Sequence, residues 1–285
     1  MTTGDMRGRR CVITGATSGI GRASAVALAR AGAELSLTCR DLERGESTRD
    51  EILRAAPNAR VDLVQTDLSS QAEVRAAAAS ILADPRPIHV LLNNAGVTYL
   101  KHTATVDGIE TSFAVNHLAY FLLTSLLLER IRGSAPARIV NVASAAHRFG
   151  TIAFDNLNHE SDFSWMKVYG QSKLANLLFS FELARRLEGT GVSVNCLHPG
   201  GVRTRLGENN APRVHRWLMW LGTPFLRSPE QGAATAVYLA SSPDVGDESG
   251  GYFSSCKRVS TSKESRDPEI ARRLWAVSEQ MTGLT

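Results

Sequence analysis

Two side chains four residues apart carry the first chemistry in this sequence: Tyr169 and Lys173, in Tyr169-Gly-Gln-Ser-Lys173. The apolar stripe Leu174, Leu177, Leu178 and Phe181 predicts a helix over 166–188, so both project from one face with about 5–6 Å between Cβ atoms. A free phenol is a poor acid or base at neutral pH, and an adjacent ammonium stabilises its phenolate. Such a pair can hand a proton to a carbonyl oxygen as it becomes an alkoxide. The carbonyl would also need a hydroxyl donor to hold and polarise its oxygen. A Tyr-x-x-x-Lys pair is common by itself and gains meaning only from its surroundings. Other chemistries are disfavoured: the seven histidines lack His-x-x-x-His or His-Glu-x-x-His spacing, so no metal site is expected, and no Gly-x-Ser-x-Gly elbow occurs.

A second feature is Thr14-Gly-Ala-Thr-Ser-Gly-Ile-Gly21, which follows the apolar run Cys11–Thr14 and opens onto a helix expected over 20–31. Glycines let backbone approach a pyrophosphate, and the helix start offers free N–H groups and a positive dipole end. Gly15, Thr17, Ser18, Gly19, Ile20 and Gly21 are therefore candidate dinucleotide-binding residues. At the end of the second strand the chain reads Leu37-Thr-Cys-Arg40-Asp41. An acidic residue there would bind the ribose hydroxyls of NAD, and a basic one the 2′-phosphate of NADP. Arg40 favours NADP(H) over NAD(H), with Arg22 or Arg44 as further positive charge and Asp41 as the cap of a helix starting at Leu42. A surface arginine without a ligand is the bland alternative.

These residues need a frame, and the sequence supplies one. Short apolar runs at 11–14, 34–38, 61–64, 88–92, 138–142 and 192–196, with a weaker one at 251–254, alternate with helical segments. The helices are expected at 20–31, 42–55, 71–83, 107–132, 166–188, 229–241 and 268–281. Repeated strand–helix units predict an α/β fold: a single doubly wound Rossmann-type domain, its seven-stranded, mostly parallel sheet covered by helices on both faces. At 285 residues, 43% hydrophobic and 21% charged, the chain can bury a full core. Net charge is +4 without a run of like charges, so nucleic acid is not an expected partner. The four cysteines are scattered and form no Cys-x-x-Cys, which points to reduced thiols and a cytoplasmic location. No signal peptide is apparent. The stretch 217–226, read as the most apolar, is too short to span a bilayer.

The loop spacing Thr-Gly-x-x-x-Gly-x-Gly resembles that of the short-chain dehydrogenase/reductase family. So do Asn93-Asn-Ala-Gly96, Asn116, Ser144, Tyr169-x-x-x-Lys173 and His198-Pro-Gly-Gly-Val-Arg-Thr204, in that order. The resemblance implies a catalytic set of Asn116, Ser144, Tyr169 and Lys173. In that set Lys173 also binds the nicotinamide ribose, and Asn116 holds a water linking the lysine to solvent. It places Asp67 and Leu68 at the adenine and Asn94, Ala95 and Gly96 beneath the adenosine half. Pro199, Gly200, Val202 and Thr204 then lie at the cofactor, Thr204 against the nicotinamide amide. For Asp67 a turn or N-cap role fits the sequence equally well, and for Asn116 so does a place on the polar face of its helix. The cofactor half is expected over about 8–145 and the catalytic and substrate half over about 146–285.

The long gap between Ser144 and Tyr169, with Ser172-Lys-Leu-Ala-Asn176 and Ser249-Gly-Gly-Tyr-Phe-Ser, is similar to the retinol dehydrogenase-like branch. Its members act on retinoids, sterols and other lipophilic carbonyls, and the membrane-bound ones carry an N-terminal anchor that this sequence lacks. The leading reading is an NADPH-dependent carbonyl reductase, reversible to an alcohol dehydrogenase, for a lipophilic ketone or aldehyde such as a secondary metabolite. A C=C reductase or redox isomerase/epimerase with the same cofactor, and a non-catalytic NADP(H) sensor, are the alternatives. His147 and His198 are read as packing or loop residues. The region 204–228, with Trp217, Met219, Trp220 and Phe225, reads as a substrate lid, a core helix, or a membrane-interface helix flanked by Arg213, Arg216 and Arg227. The insertion 144–169 is expected to form the opposite wall of the pocket. A homo-oligomer is compatible with the family.

Overall fold

The protein is described by a computed structural model covering residues 3–202 and 227–284. The strands are β1 (Arg10–Ile13), β2 (Glu34–Cys39), β3 (Val61–Gln65), β4 (Val90–Asn93), β5 (Ala137–Val142), β6 (Val192–His198), β7 (Gly251–Ser254) and β8 (Lys257–Arg258). They form one sheet in the order β3-β2-β1-β4-β5-β6-β7-β8, parallel except for the last pair. The chain winds outward from β1 to β3 and then restarts at β4 on the other side of β1. Above the carboxyl ends of β1 and β4 it leaves the crevice where doubly wound sheets bind ligands.

The helices are α1 (Gly19–Arg30), α2 (Leu42–Ala55), α3 (Gln71–Ala83), α4 (Thr111–Arg132), α5 (Trp165–Arg186), α6 (Pro229–Ser241) and α7 (Pro268–Thr282). On one face α1 packs on α2 and α6, and their core includes Ile13, Leu28, Leu37 and Ala236. On the other, α3, α4 and α5 bury Leu91, Phe121, Ile139 and Phe179, with α7 laid over α5 and Trp275 set against Phe121 and Phe179. Side-chain caps fix several of the starts. Asp41 accepts from the Arg44 amide, Ser70 from that of Glu73, and Ser228 closes a capping box with Gln231.

The sheet has eight strands where seven are expected. The eighth is a two-residue antiparallel strand reached through Ser255 and Cys256, at φ 50° and 58°. Positive φ at both central residues marks a type I′ hairpin, whose usual Asn-Gly signal is absent from this sequence. Helix α4 begins at Thr111, not 107, because Gly108 turns at φ 71° and the Glu110 carboxylate accepts from the Phe113 amide. It contains a π-helical turn, Ala114–Leu118. Among the described residues α4 is the one helix long and apolar enough to cross a membrane, while 217–226 lies outside them. The apolar window of α4 is 83% buried within the fold.

Candidate active site

The glycine loop is built by close backbone approaches. Gly15 sits at φ +64°, and a Cβ there would stand 2.8 Å from the Ala95 Cα. A Cβ on Gly21 would lie 2.3 Å from the Gly15 carbonyl oxygen, so this glycine stands behind the loop and lets α1 press against it. The Thr14 hydroxyl accepts from the backbone amides of Asn94 and Ala95 at 2.9 and 3.1 Å, and the Asn94 side-chain Nδ2 donates to the Thr14 and Gly15 carbonyls. Beneath it the Tyr120 hydroxyl donates to the Ala95 carbonyl at 2.6 Å. Sequence reasoning gave Thr14 and Tyr120 no such bracing role. Ser18 makes no side-chain cap and the first turn of α1 has no acidic residue, so its amides are free to meet an anion.

A cavity of about 770 Å³ opens at this point. Gly15, Thr17, Ser18, Gly19 and Ile20 line it, together with Arg40, Asp67, Leu68, Asn94, Ala95 and Gly96. Ser144, Tyr169, Lys173, Pro199, Gly200 and Val202 complete the far end. Arg44 lines it too, whereas Arg22 is drawn away to Glu51 on α2 at 2.7 Å. Asp67 shapes a turn, accepting from the Ser69 amide at 2.9 Å, while also facing the cavity. The size, the glycine cradle and the uncapped helix start fit a dinucleotide. Thr204, Trp217, Met219, Trp220, Phe225, Arg213 and Arg216, and nearly all of the expected lid, lie outside the described residues. Arg227 is described. It donates to the Pro199 carbonyl and to the Ser255 hydroxyl, which ties it to the rim of the cavity.

Ser144 leaves β5 and caps the 3-10 turn Ala145–Phe149, its hydroxyl accepting from the Ala146 amide at 3.2 Å. The chain then returns so closely that a Cβ on Gly150 would stand 2.2 Å from the Gly170 carbonyl oxygen. This contact, one residue from Tyr169, brings the serine and the tyrosine together across 24 intervening residues. Burial raises the Tyr169 pKa, and a hydrogen bond from Ser144 works against that rise. Lys173 is 3% exposed. Its ammonium lies 5.6 Å from the centre of the Tyr169 ring and donates to the Val142 carbonyl at 3.3 Å. Desolvation lowers its pKa to about 8.

Asn116 stands in the π-helical turn of α4, fully buried and not on a polar helix face. Its amide donates to the Val97 carbonyl and the Ser172 hydroxyl and accepts from the Val97 amide. It therefore ties the loop after β4 to α5, one residue from Lys173, and sits behind the cavity wall. Among the described residues that line this cavity, none lies between Ser144 and Tyr169. Ile152, Phe154 and Leu157 instead pack on Phe113, Leu174 and Leu178 along the flank of α4 and α5, with Gln171 bonded to Ala153 and Leu157. Three large side chains of this insertion stay exposed: Phe149, Trp165 and Met166.

Known proteins resemble this chain along most of its length. Residues 9–214 match the sequence model of the family described as short chain dehydrogenase. Retinol dehydrogenase 12 of Mus musculus is 45% identical over 277 residues, spanning 97% of this chain and 87% of that protein. Retinol dehydrogenase 11 of Homo sapiens is 44% identical over 283 residues, spanning 99% and 88%. An uncharacterized protein from Mycobacterium paratuberculosis superimposes with a TM-score of 0.79 at 33% identity, covering 99% of this chain and 96% of its own.

Proposed function

The chain belongs to the short-chain dehydrogenase family of oxidoreductases, and from that premise we propose that it interconverts lipophilic ketones or aldehydes and their alcohols with NADP(H). The observation that carries the reading is the convergence of Ser144, Tyr169 and Lys173 at one end of a cavity whose other end is a glycine cradle.

A nicotinamide bound there supplies two electrons and one hydrogen to the carbonyl carbon. The amides of the glycine loop and of the first turn of α1 would hold the pyrophosphate, and Arg40 and Arg44, which line the cavity, would supply guanidinium forks to a 2′-phosphate. Asp67 and Leu68, which line the cavity, would lie at the adenine. Ser144 and Tyr169 aim hydroxyls at the substrate oxygen, and Tyr169 gives that oxygen its phenolic proton. Burial works against a phenolate, so the charge on Lys173 is what makes the proton transferable. With a pKa of about 8, the lysine is mostly an ammonium at neutral pH and does this work. Asn116 holds Val97 and Ser172 in register so that the lysine stays beneath the tyrosine ring.

The lipophilic substrate class rests on exposed apolar side chains beside Tyr169. Trp165 and Met166 lie one turn before Tyr169 on its helix, Phe149 covers Gly170, and all three are exposed apolar side chains. The names of the mouse and human retinol dehydrogenases agree with such a class. The test is NADPH oxidation at 340 nm with all-trans-retinal, decanal, aryl ketones and quinones, products being identified by mass and retention against authentic alcohols. Alcohol formation with NADPH preferred over NADH is expected. Saturation of a C=C bond, or no turnover while NADPH still binds, would overturn the carbonyl-reductase reading.

A further inference from the structure

His147 is completely buried three residues beyond Ser144, in the 3-10 turn that the serine caps. The Ser262 backbone N–H, an obligatory donor, points at its Nε2 at 3.3 Å. That nitrogen must therefore be the acceptor, which leaves the proton on Nδ1, and Nδ1 lies 2.7 Å from the Ser144 carbonyl oxygen. Burial lowers the pKa of the ring and keeps it neutral in this tautomer. The edge of the imidazole meets the Tyr252 ring, centroids 5.1 Å apart and planes at 76°. The partners on the far side are themselves fixed: Val259 is bonded to the Tyr252 carbonyl, Arg148 donates to that of Ser260, and the Arg266 guanidinium stacks 4.2 Å from Phe181 on α5.

We infer that His147 is a positioning residue for Ser144, bracing its backbone against the segment that follows β8 and so setting where the serine hydroxyl points. The inference rests on Ser144 acting as proposed above. The serine is held at both ends, its carbonyl by the histidine and its hydroxyl by the Ala146 amide. The hydroxyl proton is thereby left to face Tyr169 and the substrate oxygen. With the imidazole bond gone, the Ser144 carbonyl keeps only the longer bond from the His147 amide, 3.3 Å.

His147→Phe keeps a ring against Tyr252 and removes both bonds, whereas His147→Asn returns an amide N–H near the place of Nδ1. Compared by steady-state kinetics with the most active carbonyl of the panel, His147→Phe should lose about ten- to a hundredfold in kcat, the scale of a small misplacement of a reacting group. Its Kd for NADPH should stay within about twofold, and His147→Asn should recover most of kcat. A readout free of turnover is the ionisation of Tyr169, followed by NMR of protein labelled with [13Cζ]tyrosine and assigned with Tyr169→Phe. Loss of the Ser144 hydrogen bond should move that ionisation upward in His147→Phe and back in His147→Asn. Wild-type kcat or an unmoved Tyr169 in His147→Phe would overturn the inference. So would a loss that Asn does not rescue in a variant of unchanged thermal stability. Absence of turnover in the wild type would overturn the reductase reading alone, since the tyrosine signal would still report on His147.

Discussion

Replacing Lys173 by methionine should make the protein more stable at neutral pH while abolishing turnover. The ammonium is desolvated among Val142, Asn176 and Tyr169, and its pKa falls from 10.5 to about 8. At about 1.4 kcal/mol per pH unit, keeping that charge in the fold costs about 3 kcal/mol. The Val142 carbonyl it bonds is not orphaned by the change, because the Asn176 amide also donates to it at 3.3 Å. Methionine retains most of the apolar stem, so the substitution removes the penalty with little lost packing. The sign follows from proton linkage. Between about 8 and 10.5 the unfolded chain binds a proton that the folded one does not, so wild-type stability rises with pH across that window. The penalty is complete below the window and absent above it. Urea denaturation at pH 7 should therefore show Lys173→Met ahead by about 1–3 kcal/mol, after some loss for the bond to Val142. The gap should close by pH 10.5. A less stable variant at pH 7, or a gap indifferent to pH, would refute the assignment of Lys173 as a desolvated ammonium held for chemistry.

The remaining expectations bear on the cofactor and on the join between serine and tyrosine. Arg40→Ala should weaken NADPH binding by about tenfold or more and leave NADH nearly unchanged in fluorescence titration, a charge-assisted contact being lost from one ligand only. Equal weakening would remove Arg40 from the 2′-phosphate. Gly150→Ala, whose Cβ would stand 2.2 Å from the Gly170 carbonyl oxygen, should cost about 1–3 kcal/mol by overpacking and reduce kcat through the neighbouring Tyr169. Gly133→Ala, whose Cβ would stand 3.4 Å from the Glu129 carbonyl oxygen, is the control and should unfold like the wild type in urea.

Much of the frame is readable because its signals are local. Helices α2, α3 and α6 begin where Asp41, Ser70 and Ser228 can cap and end where apolar spacing stops, and the sequence reading places all three on the observed bounds. Features that depend on distant partners were not readable. Strand β1 starts at Arg10, one residue before the apolar run, because its buried guanidinium finds the Ser36 hydroxyl and the Ile81 carbonyl. The π-helical turn that swings Asn116 inward leaves no mark in a pattern with helical period, and the asparagine looks like one more polar position. The insertion after Ser144 reads as a pocket wall since it lies between two site residues. The contact of Gly150 with Gly170 and the packing of Ile152 along the flank of α5 depend on partners that no local signal names. His147 and Tyr120 escaped for the same reason: each works through a backbone carbonyl, at Ser144 and Ala95, that no motif encodes.

The central claim is that Tyr169 delivers the proton in a cavity that binds the dinucleotide independently of it. Its most direct test is Tyr169→Phe, assayed side by side with the wild type for carbonyl-dependent NADPH oxidation and for NADPH affinity by fluorescence. The account predicts turnover reduced by at least about a hundredfold, the scale of a lost general acid, with affinity within about twofold. Turnover that survives the loss of the phenol would contradict it.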